Sequence, residues 1–143
     1  REQLLAWEWY EPFRTDEFFA EVKCTLDNVD SECGLGFGPD GDNLYWFKVR
    51  PATQEYSLQL LQDNIWQDDL VASTTSHYIS PFGANYLALG RVDNVVSVYV
   101  NGVLIGRVEN DLFPTGRIGI GGATYDAPDT TVCLDDLKVW HLQ

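Results

Sequence analysis

The sequence predicts an all-β fold, an antiparallel sandwich or jelly roll, and three observations carry that reading. Alternating apolar and polar residues recur in about ten short stretches at regular spacing, and no stretch carries a helical period. Residues 85–108 read as a three-strand meander whose turns are Asp93-Asn94 and Asn101-Gly102, pairs that tolerate the positive φ of a type I′ hairpin turn. Both turns also put the same side chains on one face. The second sets Val100 opposite Val103 and Val98 opposite Ile105. The first sets Leu89 opposite Val98 and Leu87 opposite Val100. Leu87, Leu89, Val96, Val98, Val100, Val103 and Ile105 then share a face, and a slip of one residue would send them all to the other side.

The remaining elements follow the same rule. Leu4 to Tyr10 reads as a first strand with Leu5, Trp7 and Trp9 together on one face, as core. Glu17 to Leu26 alternates strictly, with Phe18, Ala20, Val22, Cys24 and Leu26 inward and Phe19, Glu21, Lys23 and Thr25 outward. After a polar turn, Cys33, Leu35 and Phe37 return on the inward face, with Gly34, Gly36 and Gly38 outward. Asn43 to Arg50 places Tyr45, Phe47 and Val49 inward and Trp46, Lys48 and Arg50 outward, and Pro51 stops it. Tyr56, Leu58 and Leu60 mark the next strand, with Ser57, Gln59 and Leu61 outward. Asp63-Asn64 turns the chain into a strand from Ile65 to Val71. Ser73 to Gly83 has no periodicity and reads as a crossing loop or an irregular edge. Gly116 to Gly122 is a strand with Ile118 and Ile120 inward. Thr131 to Leu142 closes the chain. Its inward pattern changes phase at Asp135-Asp136, which predicts a β-bulge.

Length and composition bound the function. The 143 residues suit one domain, 1–143, with a sizeable core. The chain begins with Arg1 and contains no Met, so it reads as a mature fragment or one module of a longer protein. No apolar run approaches the ~18 residues of a membrane span. Net charge is −13, from 22 acidic and 9 basic residues, which makes nucleic acid and anionic lipid poor partners and favours cations.

Four pieces together resemble one superfamily: Asp42-Asn-Leu-Tyr-Trp-Phe47, the Asn85-x-Leu-x-Leu…Val98-Tyr-Val-Asn-Gly102 block, Gly116-Arg-Ile-Gly-Ile120 and Leu134-Asp-Asp-Leu-Lys-Val139. The chain resembles the concanavalin A-like lectin and glucanase superfamily, which includes laminin-G modules, and most of all its small bacterial accessory modules. The likeness runs from about Asp16 to Trp140. It implies two packed, curved antiparallel sheets, a structural calcium in many members, and a carbohydrate groove on one face in some. It does not fix a function, because the fold hosts enzymes, lectins and adhesion modules alike.

The glycosidases of that superfamily carry Glu-x-Asp-x-Glu on one strand, where period two gathers three carboxylates on one face. No such triplet occurs in this chain. Glu8 and Glu11 have the wrong spacing, Phe19 separates Glu17 from Glu21, and His77 and His141 have no nucleophile near them in sequence. Catalysis is therefore not expected, although two carboxylates from separate strands facing each other at about 5–10 Å would restore it. Two other readings remain open. One is a non-catalytic, extracytoplasmic binding module whose ligand is a glycan. The other is a structural module that packs on itself or on a neighbouring domain. Both draw on the small outward residues Gly34, Gly36, Gly38, Ala88, Gly90, Ser97 and Gly106, which suit a groove floor or a covered face.

Three sets of site residues follow. Trp46, Lys48 and Arg50, with Gln59 outward on the next strand, are the expected ligand contacts, Trp46 as a stacking platform; the competing reading is a Trp46 covered by a loop such as Ser73 to Gly83. Asp135 matches the position that supplies a calcium ligand in glucanase relatives, and a bulge at Asp135-Asp136 would free carbonyls to join it; the competing reading is two surface aspartates near Lys138. Cys24 and Cys33 are symmetric about a hairpin centred between Asn28 and Val29. Directly opposed Cα atoms lie roughly 4.5–5.5 Å apart, within disulfide reach, and such a bond fits an oxidising compartment. The alternative is three reduced thiols. Cys133 is left over and expected to be free.

Overall fold

The protein is described from a computed structural model, which covers the backbone of residues 4–15, 17–26, 30–124 and 132–141 and the side chains of 17–26, 30–123 and 134–141. The described residues form twelve strands: β1 (Leu4–Thr15), β2 (Phe18–Leu26), β3 (Ser31–Asp40), β4 (Asn43–Arg50), β5 (Glu55–Gln62), β6 (Ile65–Trp66), β7 (Val71–Thr75), β8 (Ala84–Val92), β9 (Val95–Val100), β10 (Val103–Glu109), β11 (Gly116–Thr124) and β12 (Val132–His141). A short 3-10 helix, Pro51–Thr53, starts at the proline that ends β4. The strand expected from Ile65 to Val71 is instead two pieces, β6 and β7. They lie along the two halves of one edge of β5.

The strands make two antiparallel sheets. The seven-stranded sheet runs β1-β11-β3-β4-β5-β6 with β7 also on β5, and the five-stranded sheet runs β10-β9-β8-β2-β12. Between them lies one core. Phe18, Ala20, Val22 and Cys24 of β2, and Leu87, Leu89, Val96, Val98 and Val100 of the meander, meet Cys33, Leu35, Phe37, Tyr45, Phe47, Val49 and Leu58 of the opposite sheet. The alternation read from the sequence is the buried and half-buried alternation of β2 and β9.

All three dipeptide turns adopt the conformation their residues suit. Asp63 and Asn64, Asp93 and Asn94, and Asn101 and Gly102 have positive φ in consecutive pairs. Leu87 pairs with Val100 and Leu89 with Val98, as expected. The second hairpin departs from expectation. A bulge after Leu104 sets Gly106, not Ile105, opposite Val98. The bulge leaves the Ile105 carbonyl outside the ladder, and it accepts a hydrogen bond from the Tyr56 hydroxyl at 2.6 Å. One irregularity thus ties the two sheets together through a buried donor.

One further expectation is corrected by register, and another lies beyond reach. The β1 positions Leu5, Trp7 and Trp9 pair with Ala123, Gly121 and Gly119; the expectation that they are core concerns side chains outside the described residues. Cys24 and Cys33 are not partners in one hairpin. β2 pairs with β8 and β12, while β3 pairs with β11 and β4, so the chain crosses from one sheet to the other between them. The turn between them, 27–29, lies outside the described residues. The two cysteines are nevertheless bonded, as a bridge between the sheets with Cα atoms 6.4 Å apart. Cys133 lies opposite Thr25 in β12, and its side chain is outside the described residues.

Candidate functional site

The outer face of the seven-stranded sheet is built from the residues that alternate with the core. Gly34 and Gly36 of β3 pair with Lys48 and Trp46 of β4, which pair in turn with Ser57 and Gln59 of β5. Opposed residues of an antiparallel pair share a face, so these six positions form two short rows across three strands.

Trp46 is not an open platform. It is 2% exposed and clusters with Leu44 and Leu61 on this outer face. Its ring lies across the two glycines: a Cβ at Gly36 would stand 2.8 Å from Trp46 Cε3, and one at Gly34 would meet the indole and stand 2.9 Å from the Phe47 carbonyl. The glycines are seats for a neighbouring ring rather than the floor of a groove. Gly90, on the other sheet, is less crowded, and a Cβ there would make ordinary contacts. Phe19 Cδ1 and Tyr99 Cε1 lie 3.4 and 4.0 Å from where its Cβ would be.

Beside Trp46 the same rows open into a pocket of about 210 Å³. β4 contributes Lys48 and Arg50, β5 contributes Glu55, Ser57 and Gln59, and Glu32, Asp69 and Ser73 complete the rim. Three of the four expected ligand contacts, Lys48, Arg50 and Gln59, therefore meet in one place; Trp46 adjoins it without being open. Glu32, Glu55, Ser57, Asp69 and Ser73 were not singled out from sequence. The outward parity of Ser57 was legible, but its position beside Lys48 depends on strand register.

The electrostatics are those of paired charges. Lys48 Nζ lies 3.5 Å from Glu32 Oε2, and the Glu32 side chain is nearly fully buried. Arg50 donates through Nε at 2.9 Å and through Nη2 at 2.5 Å to Asp30 Oδ1. Ser73 donates to Glu55 Oε2 at 3.2 Å. The Thr53 hydroxyl holds the Glu55 carboxyl below its ordinary value; burial, next in size, opposes it, and Ser73, Arg50 and Lys48 add smaller lowering effects. Ser57 differs from these. It is 2% exposed, and its hydroxyl has no hydrogen-bond partner. A buried hydroxyl left unpaired costs of order 1–3 kcal/mol, so the site has unused hydrogen-bonding capacity at its floor.

The predicted bulge in β12 is present between Asp135 and Lys138, and Asp136 has a positive φ. Both aspartates are exposed, and Asp135 pairs across the ladder with Lys23. Among the described residues no three acidic, histidine or cysteine side chains gather as metal ligands. Two exposed carboxylates fall short of the six to eight oxygens calcium takes, so the described residues alone do not complete a calcium shell.

A second feature lies on the outer face of the five-stranded sheet. Phe19 stands between Tyr99 and Trp140, with ring centroids 5.3 and 5.5 Å away, and Trp140 is 46% exposed. Leu104, paired with Tyr99, is also exposed. Of this row, only Phe19 was read from the sequence as outward.

No protein-family model and no curated protein matches this sequence. Solved structures do match over nearly the whole chain. The carbohydrate-binding module CBM66 from Bacillus subtilis superposes with a TM-score of 0.71 at 14% identity, covering 89% of this chain and 76% of that one. A tetrameric galectin from the ball sponge Cinachyrella sp. gives 0.69 at 12% identity, covering 96% and 100%. A β-glucanase from Bacillus licheniformis gives 0.66 at 11%, covering 99% and 78%. The fold is the concanavalin A-like jelly roll. Its neighbours thus include one named as a carbohydrate-binding module, one named as a galectin and one named as a glucanase.

Proposed function

We propose that this domain is a non-catalytic module that binds a glycan, holding one sugar unit in the pocket formed by β4, β5 and β7. The observation that carries the reading is the unpartnered, buried Ser57 hydroxyl beside the Lys48–Glu32 pair and the Gln59 amide. Sugar hydroxyls donate and accept, so they satisfy a floor that offers a hydroxyl, an amide, carboxylates and an ammonium together. The carbohydrate-binding neighbours are consistent with it.

Binding is favoured over hydrolysis by the state of Glu55. A glycosidase needs one carboxyl raised in pKa to act as acid, whereas Glu55 is lowered and Glu32 is tied to Lys48. Assembly is the second reading, favoured by the exposed Trp140 and Leu104 on the five-stranded sheet. Strand addition is disfavoured, because β10 and β12 each carry a bulge at the edges of that sheet. An extracytoplasmic setting is supported by the Cys24–Cys33 bridge. A calcium at Asp135 would need ligands from outside the described residues; an unchanged melting temperature on adding EDTA and then calcium would remove it from the account.

Isothermal titration with a panel of mono- and oligosaccharides tests the proposal. Saturable heat that disappears in Ser57→Val, with no reducing sugar released, supports it. Sugar release by the wild type would move the domain to the glycosidases.

A further inference from the structure

Granting a glycan in this pocket, we infer that the site selects by charge, taking neutral, hydroxyl-rich sugar units and rejecting uronates and sulfated sugars. Two cations and three carboxylates line it, and a fourth carboxylate, Asp30, holds Arg50 from outside the lining. Lys48 is paired with Glu32 and Arg50 with Asp30. Glu55 and Asp69 add two further carboxylates to the rim, and the cations nearest Glu55 are the same Arg50 and Lys48 already held by Asp30 and Glu32. An incoming carboxylate therefore meets no uncommitted positive charge, and it faces two negative ones inside a chain whose net charge is −13. The Glu55 carboxyl is held below its ordinary value, so this barrier does not relax near neutrality.

A neutral hydroxyl meets the opposite situation. It donates to the Glu55 or Asp69 carboxylate, and such charge-assisted bonds are stronger than neutral ones. It accepts from Lys48, whose ammonium carries three donors and whose ion pair with Glu32 is long at 3.5 Å. Ser57 takes either role. Adjacent donors and acceptors at this scale fit neighbouring hydroxyls on one ring, and a pocket of about 210 Å³ is close to the size of one such ring. The same two cations, counted alone, would have suggested an acidic ligand; their partners reverse that conclusion.

Matched pairs test the inference: methyl glucoside against methyl glucuronide, methyl galactoside against methyl galacturonide, and methyl mannoside against methyl mannuronide, titrated calorimetrically into the wild-type domain at low salt. Within any pair that binds, the uronide is expected to be weaker by at least about tenfold. Added salt should narrow the gap, and so should Glu55→Gln with Asp69→Asn. A uronide that binds as tightly as its neutral partner overturns the charge selection while leaving glycan binding standing. No binding by any member, or by their oligomers, overturns the glycan reading and this inference with it.

Discussion

Cys24 and Cys33 join the two sheets through the middle of the core, one on β2 of the five-stranded sheet and the other on β3 of the seven-stranded sheet, with both side chains buried. The bond closes a short loop, and loop entropy assigns it ~2.7 kcal/mol. Replacing both cysteines by alanine is expected to lower the melting temperature by roughly 5–10 °C. Thiol titration of the denatured, unreduced protein should find only Cys133 reactive. Three reactive thiols would show that the bridge does not form and would weaken the extracytoplasmic assignment.

The packing of Trp46 on glycine gives a second expectation. Gly34→Ala and Gly36→Ala each force the indole from its seat, with an expected cost of about 1–3 kcal/mol. Tryptophan emission should shift to the red as Trp46 gains solvent. Gly41→Ala, with open space around its Cβ position, serves as the control and should change neither quantity. Unaltered stability in both β3 variants would mean that Trp46 does not occupy this place.

Tyr45 gives a third. Its hydroxyl donates to Asn110 Oδ1 at 2.5 Å and accepts the Phe113 amide at 3.2 Å, both under the loop that follows β10. Tyr45→Phe strands both partners and should cost about 1–3 kcal/mol. Burial, the main influence, raises the phenol above its ordinary value of 10.0. A raised folded value gives stability that is complete below the unfolded pKa and is lost as pH rises through the folded one. The wild type should therefore lose this contribution only in alkali above pH 10, and Tyr45→Phe should lack that component of the alkaline loss. Matching alkaline profiles for the two proteins would count against it.

Sequence made the two faces of most strands legible, because period two reports which side a residue takes. It did not report what lies over that side. Trp46 was correctly outward, yet the glycines on the next strand let it lie flat and closed. Cys24 and Cys33 were correctly inward, but inward residues look alike whether they share a hairpin or face each other across a sandwich, so the right pair was reached through the wrong geometry. The three dipeptide turns were readable because Asn, Asp and Gly act locally. The pocket was half readable: Lys48, Arg50 and Gln59 lie outward on paired strands, whereas Glu32, Asp69 and Ser73 come together only through the crossover of β3 and the fold-back of β7. The bulge between Leu104 and Gly106 left no signal beyond that glycine.

The pH dependence of ligand binding follows from Glu55. Hydrogen bonds from Thr53 first and Ser73 next hold its pKa below the ordinary 4.5. For a depressed carboxyl the charged form persists above the folded value, so affinity should be flat from neutral pH to 4.5 and fall only in stronger acid. Ser73→Ala should move the fall to higher pH. A decline centred near pH 6 would show that some other group governs the site.

The most direct test of the central claim is an amide chemical-shift titration of the isotope-labelled domain with the neutral sugars above. The account predicts saturable shifts concentrated at Lys48, Arg50, Ser57 and Gln59, with the amides of Phe19, Tyr99 and Trp140 unmoved. Shifts confined to those three aromatic residues, or no saturable shifts at any sugar concentration, would contradict it.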